Sequence, residues 1–198
     1  MSQKVIPTAA AAVAAAAALE VAHFRSIPWC AAHLSASPNL VVEQAFSRTP
    51  KDQYEDALLS QTLNRKGAIP AFVTFYTKPA EARDLVREVK AFLSLGPMVN
   101  GWAGICHGGI AMTILDEVMG QLPAVNKLRG NLPDIPLMTA YLNTTFVRPV
   151  RTPTTIMVTA RLLKVEGRKQ FADAVIEDEK GEVLAKAEAL FVMLKAKL

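Results

Sequence analysis

The chain has 198 residues, 51% of them apolar and 20% charged, enough for one domain with a real core. Its formal charge of +4 comes from scattered Lys and Arg and a short Lys195/Lys197 tail, so no basic run reads as a nucleic-acid patch. The two cysteines, Cys30 and Cys106, are too few for a disulfide framework, which makes a reducing compartment the default.

The first predicted element is a helix over the alanine-rich stretch Ala9–Leu19, since alanine is the best helix former. The stretch is too short to span a bilayer and too weakly hydrophobic for a secretory signal, so no membrane span is expected. Up to residue 42 Glu20 is the only acid, against Lys4 and Arg25. That balance also suits a mitochondrial presequence, the cytoplasm being the default location. Ser26 to Pro50 reads as a loop, and Pro50 with an acidic first turn predicts a second helix around Asp52–Asn64. Gly67 and Pro70 close this part. Residues 1–67 are therefore taken as an N-terminal helical extension and 68–198 as the main domain.

Ala71–Thr77 is β-branched and aromatic and predicts a strand. Leu85–Leu95 fits a strand or a helix by its spacing. Gly96-Pro97 breaks the chain, and a loop with Asn100, Gly101 and Gly104 leads to "CHGGIAMTILDEVMG". Here Ile110, Ala111, Ile114, Leu115, Val118 and Met119 cover most of a helical wheel, which marks a buried helix. A loop with three prolines, Pro123 to Pro136, follows. Leu137–Val147 alternates, with Met138, Ala140, Leu142 and Phe146 on one face and Thr139, Tyr141, Asn143 and Thr145 on the other. Thr155–Val165 and Lys169–Glu177 flank a turn at Glu166-Gly167, and "DEKG" at 178–181 turns the chain into a last strand, Glu182–Leu194. Strands, one buried helix and four antiparallel strands make an α+β fold: an antiparallel sheet curled around one long central helix.

The central helix carries the chemistry. Thr113, Glu117 and Gln121 recur at i, i+4 and i+8, with Asp116 beside them, so polar groups share one side of an oily helix. A buried carboxylate costs free energy and its pKa rises, which makes Asp116 or Glu117 a candidate base or nucleophile. In front, Gly108 and Gly109 leave backbone N–H groups open at the positive end of the helix, where an oxyanion can bind. His107 and Asp116 are nine residues apart, about 13 Å along the axis. One copy cannot bring both ends to one substrate, so the spacing predicts a two-fold dimer with shared sites.

The segment "NGWAGICHGGIAMTILDEVMG" resembles the hotdog-fold thioesterase superfamily, in particular the PaaI-type acyl-CoA thioesterases. "TAYLNTTFVRPV", "EGRK" and "DEKGEVLAKAEALFV" extend the likeness over about residues 68–194. The resemblance implies a hotdog fold, a homodimer or homotetramer, and hydrolysis of an acyl-CoA or acyl-carrier thioester. It assigns Asp116 as base or nucleophile from the partner subunit and the Gly108/Gly109 amides as the oxyanion site. Thr139 would hold the water, and His107 and Asn100 would shape the thioester site. Arg148, Arg151, Arg168 and Lys169 are candidates for the CoA phosphates, and Glu117 for substrate contact. No cofactor is implied, and His23, Cys30 and His33 are too loosely spaced to predict a metal. No Gly-x-Ser-x-Gly elbow supports a serine hydrolase. A non-catalytic acyl-binding module and a dehydratase on the same fold remain as alternatives.

Overall fold

The computed structural model describes residues 9–195; Lys4 and Lys197 lie outside the described residues. Helix α1 (Ala9–Arg25) is followed by a short α2 (Pro28–Leu34) that starts on a proline, whose missing N–H costs nothing in a first turn. Strands β1 (Leu40–Gln44), β2 (Ala71–Thr77) and β3 (Glu88–Leu95) come next. A small hairpin, β4 (Asn100–Trp102) with β5 (Ile105–Cys106), leads into α3 (Gly108–Leu128). Then β6 (Leu137–Phe146), β7 (Thr154–Glu166), β8 (Lys169–Glu177) and β9 (Val183–Met193) complete the chain. Seven strands form one antiparallel sheet in the order β1-β2-β3-β7-β8-β9-β6, and α3 lies on its inner face.

Period-2 alternation divides the sheet's residues between two cores. On the inner face, Phe72, Leu93, Ile156, Val158 and Ile176 pack on Ile114, Leu115, Val118 and Met119 of α3. Asn126, fully buried near the end of α3, accepts from Val86 N–H at 2.8 Å and donates to Val86 C=O at 2.9 Å, which ties the helix to the segment leading into β3. On the outer face, Phe24, Cys30 and Leu34 of α1 and α2 pack on Val73, Phe75, Phe92 and Met157. Phe92 stacks between Phe24 and Phe75 and meets Trp29 edge-on. Glu20 of α1 is buried and accepts from Arg48 (3.1 Å), Gln44 (2.9 Å) and the Phe72 amide (2.7 Å). A buried carboxylate needs such partners, and these clamp α1 onto the sheet.

Several expectations are corrected. The loop assigned to Ser26–Pro50 contains α2 and β1, and β1 pairs with β2, so residues on both sides of position 68 share one sheet. Asp52–Asn64 is not one helix. It is a 3-10 turn at Asp52–Tyr54 and a π-turn at Leu58–Thr62, because Gln53, Tyr54 and Asp56 take positive φ, which interrupts helical bonding. Of the stretch Leu85–Leu95, which fitted strand or helix, Glu88–Leu95 is the strand β3. The helix α3 runs through Pro123 to Leu128 rather than ending in a loop at Pro123. The two cysteines are free and buried, and burial pushes the Cys30 thiol up to about 12 and Cys106 to about 11.

Candidate active site

Asp116 sits halfway along α3, facing the start of β6. Thr139 Oγ1 donates to its Oδ1 at 3.1 Å. The alternation expected for β6 put Thr139 with Tyr141 on one face, but a bulge between these residues reverses the phase. Thr139 now pairs with Phe191, and Leu142 with Ala189, so both point inward with the buried side of β9. Bulges re-aim side chains in this way, and here the extra residue, Ala140, turns the hydroxyl toward the helix. Burial pushes the Asp116 pKa above its ordinary value, and the Thr139 hydrogen bond restores part of the difference.

Glu117 is set deeper. Burial raises its pKa; the nearby Ser47 hydroxyl offsets part of that rise, and the charges of Asp56 and Asp116 add to it. Gln121 donates to Glu117 Oε1 at 2.7 Å and with its own Oε1 accepts the Phe46 amide at 3.0 Å. The helical spacing identified Glu117 and Gln121 as one polar stripe. It gave no sign of Phe46 or Ser47, which reach the site from a segment with no motif. Both carboxylates open onto a cleft of about 910 Å³, bounded also by Phe46, Gly120, Met138 and Thr139. Thr113, the third polar residue of the stripe, bonds back to Gly109 C=O at 2.9 Å within its own helix.

The front of α3 opens elsewhere. His107 is the N-cap, and its Nδ1 accepts the Gly109 N–H at 2.9 Å. The Gly109 amide is therefore occupied by the preceding ring, not free as expected. Ile110 and Ala111 donate to His107 C=O, which leaves Gly108 N–H as the first-turn donor without a partner among the described residues. Gly108 lines a separate cavity of about 370 Å³ with Cys106, Phe146 and Arg148. Asn100 lies on the β4–β5 hairpin and is hydrogen-bonded to the Thr152 hydroxyl. Gly101 lets this hairpin pass close to His107: a Cβ there would stand 2.9 Å from the ring.

Of the cations, Arg148 donates to Val183 C=O at 3.2 Å and lies 3.8 Å from Glu182. It borders both the Gly108 cavity and a neighbouring one of about 620 Å³ that also holds Arg151 and Lys180. Arg168 is committed to Met193 C=O at 2.8 Å, and neither it nor Lys169 lines a described cavity. One chain thus separates a cleft with two half-buried carboxylates from a cavity at the N-terminus of the same helix.

The family model described as "Thioesterase superfamily" matches residues 103–185. Verlamelin biosynthesis protein B of Lecanicillium is 34% identical, the match covering 69% of this chain and 71% of that protein. Acyl-coenzyme A thioesterase THEM4 of Xenopus laevis is 28% identical (80% and 66% covered), and its mouse counterpart 32% (62% and 48%). The chain spans about two thirds of the frog relative's length and about half of the mouse relative's. Among solved structures, a thioesterase superfamily protein aligns with a TM-score of 0.52 at 24% identity, over 88% of this chain and 78% of that one. A hypothetical thioesterase of Streptococcus pneumoniae aligns at 0.51 and 13%, over 65% and 97%. The architecture they share with this chain is the hotdog fold.

Proposed function

The chain belongs to the thioesterase superfamily, and we propose that it hydrolyses an acyl thioester of coenzyme A. The observation that carries this reading is the Asp116–Thr139 pair at the wall of a substrate-sized cleft, a carboxylate held in place by a hydroxyl. Asp116 takes a proton from a water molecule as its oxygen attacks the thioester carbonyl. The oxyanion accepts a hydrogen bond from Gly108 N–H, at the positive end of a helix. Collapse breaks the carbon–sulfur bond, and the departing thiolate takes the proton from Asp116. The products are a free acid and a thiol. His107 fixes the first turn of α3, and Asn100 holds the hairpin beside it.

Asp116 and Gly108 open onto different cavities of one chain and lie about 12 Å apart along the helix axis. The proposed site therefore joins Asp116 of one copy to Gly108 of a second, in a homodimer or a pair of homodimers. In support, β6 is an edge strand with Met138, Tyr141 and Phe146 exposed, an unpaired edge suited to cover by a second chain. The free cysteines suit a reducing interior, cytoplasmic or mitochondrial.

The test is thiol release from a panel of acyl-CoAs, with Asp116→Ala beside the wild type. Release by the wild type and its loss in Asp116→Ala are expected. Equal turnover by both proteins removes Asp116 from the mechanism. Binding without release from any ester favours an acyl-binding module.

A further inference from the structure

The Asp116 cleft does not end in open solvent on every side. Behind Phe46 lies a second cavity of about 270 Å³, and Phe46, Ala124 and Leu128 border both. Phe46 is thus a partition between two spaces. Its backbone N–H is held by Gln121 at 3.0 Å, and the Lys51 ammonium lies 4.0 Å from the centre of its ring. Lys51 is itself fixed by Glu55, at 3.1 Å, and by Asp56. The preceding strand β1 is paired to the sheet, and Arg48, two residues on, is clamped by Glu20. The ring is 44% exposed, but the backbone that carries it is anchored on both sides and the Lys51 ammonium covers one face, so it stands as a fixed rim between the two spaces.

Charge decides which arm of a thioester enters this cleft. Its lining carries Glu55, Asp56, Asp116, Glu117 and Asp134 against Lys127, and Lys51, which pairs with the first two from outside the lining, still leaves an excess of acid. That field repels the phosphates of a CoA arm. On the Gly108 side the balance differs: Arg148 is the one charged residue lining the smaller cavity, and in its neighbour Arg148, Arg151 and Lys180 are matched by Asp178, Glu179 and Glu182, with no excess of acid. The acyl arm is the uncharged one, and the cleft offers it Phe46, Leu137, Met138 and Phe191. We propose that Phe46 is a specificity-determining residue, which sets the length of acyl chain accepted by closing the Asp116 cleft off from the smaller cavity behind it. The proposal rests on the reading of the cleft as the acyl side of a thioester site.

The experiment is a chain-length profile of kcat/KM with straight-chain saturated acyl-CoAs, for the wild type, Phe46→Ala and Phe46→Trp. Phe46→Ala joins the two spaces, so its optimum moves to longer chains. A hydrophobic pocket discriminates by about tenfold or more per methylene, so the long-to-short ratio rises at least roughly tenfold. Phe46→Trp keeps the wall and holds the wild-type optimum or a shorter one. The same panel of non-hydrolysable thioether analogues, bound to Asp116→Ala with and without Phe46→Ala, reads the length preference as Kd without any turnover. An unchanged profile in Phe46→Ala, by kcat/KM or by Kd, overturns the proposal. Failure of the wild type to release thiol while Kd still shifts with Phe46→Ala removes the hydrolytic reading and leaves the acyl wall standing.

Discussion

The two faces of the sheet bury similar apolar residues but use their polar ones differently. Against the outer face the deep charges Glu20 and Arg48 pair with each other, and Glu20 also accepts from Gln44 and the Phe72 amide. On the inner face Asp116 has a single hydroxyl partner, and Glu117 remains the more desolvated of two adjacent acids. A saturated charge holds structure together, whereas an under-solvated one is left reactive. The contrast separates a charge pair that holds the fold together from the carboxylates of the proposed site.

The sharpest way to break that contrast is to cut one residue on each face. Asp116→Ala should lower kcat by about 10²–10⁴-fold, the range for a lost general base, with no loss of thermal stability; thiol release and a melting curve read both. Glu20→Ala should do the reverse, costing about 3–5 kcal/mol in urea unfolding, because Arg48 is left buried without its partner. Phe92→Ala removes the ring shared by Phe24, Phe75 and Trp29 and should cost a similar 3–5 kcal/mol, with kcat/KM of the folded fraction unchanged.

A pH series refines the comparison. Asp116 and Glu117 both have native pKa values above their ordinary 3.8 and 4.5. Between the ordinary and the raised values the native state holds more protons than the unfolded chain, so stability falls as pH rises through that window. Asp116→Asn and Glu117→Gln should each flatten the fall and stabilise the protein at neutral pH, as seen in urea midpoints against pH. The acidic limb of kcat/KM should likewise lie above 3.8. Least affected should be Arg168→Ala. Its guanidinium serves Met193 C=O, so about 1 kcal/mol of stability is lost while KM for acyl-CoA stays the same.

What the sequence revealed follows from how local each signal is. The buried helix and strands β7 to β9 were legible because periodicity and turn residues are written in consecutive positions. Pro123 misled because a proline suggests a helix end, while tertiary packing carries α3 one and a half turns further. β1 was hidden in a Pro/Ser-containing stretch, where five half-buried residues gain their order from pairing with β2. Asp52–Asn64 has helical composition but left-handed residues at Gln53, Tyr54 and Asp56, which no propensity foretells. At the site, Asp116, Thr139 and the glycines were marked by the motif. The bulge that turns Thr139 inward, and the arrival of Phe46 and Ser47, are matters of tertiary geometry and leave no pattern along the chain.

The cap on α3 has a consequence for the imidazole itself. Because His107 Nδ1 receives the Gly109 N–H, that nitrogen carries no hydrogen while the cap holds. The neutral ring is thereby fixed as the Nε2–H tautomer, a form that ¹⁵N chemical shifts would identify. The backbone has made the outer nitrogen a donor only, so a group that meets it must offer a lone pair: a carbonyl oxygen qualifies and an amide N–H does not.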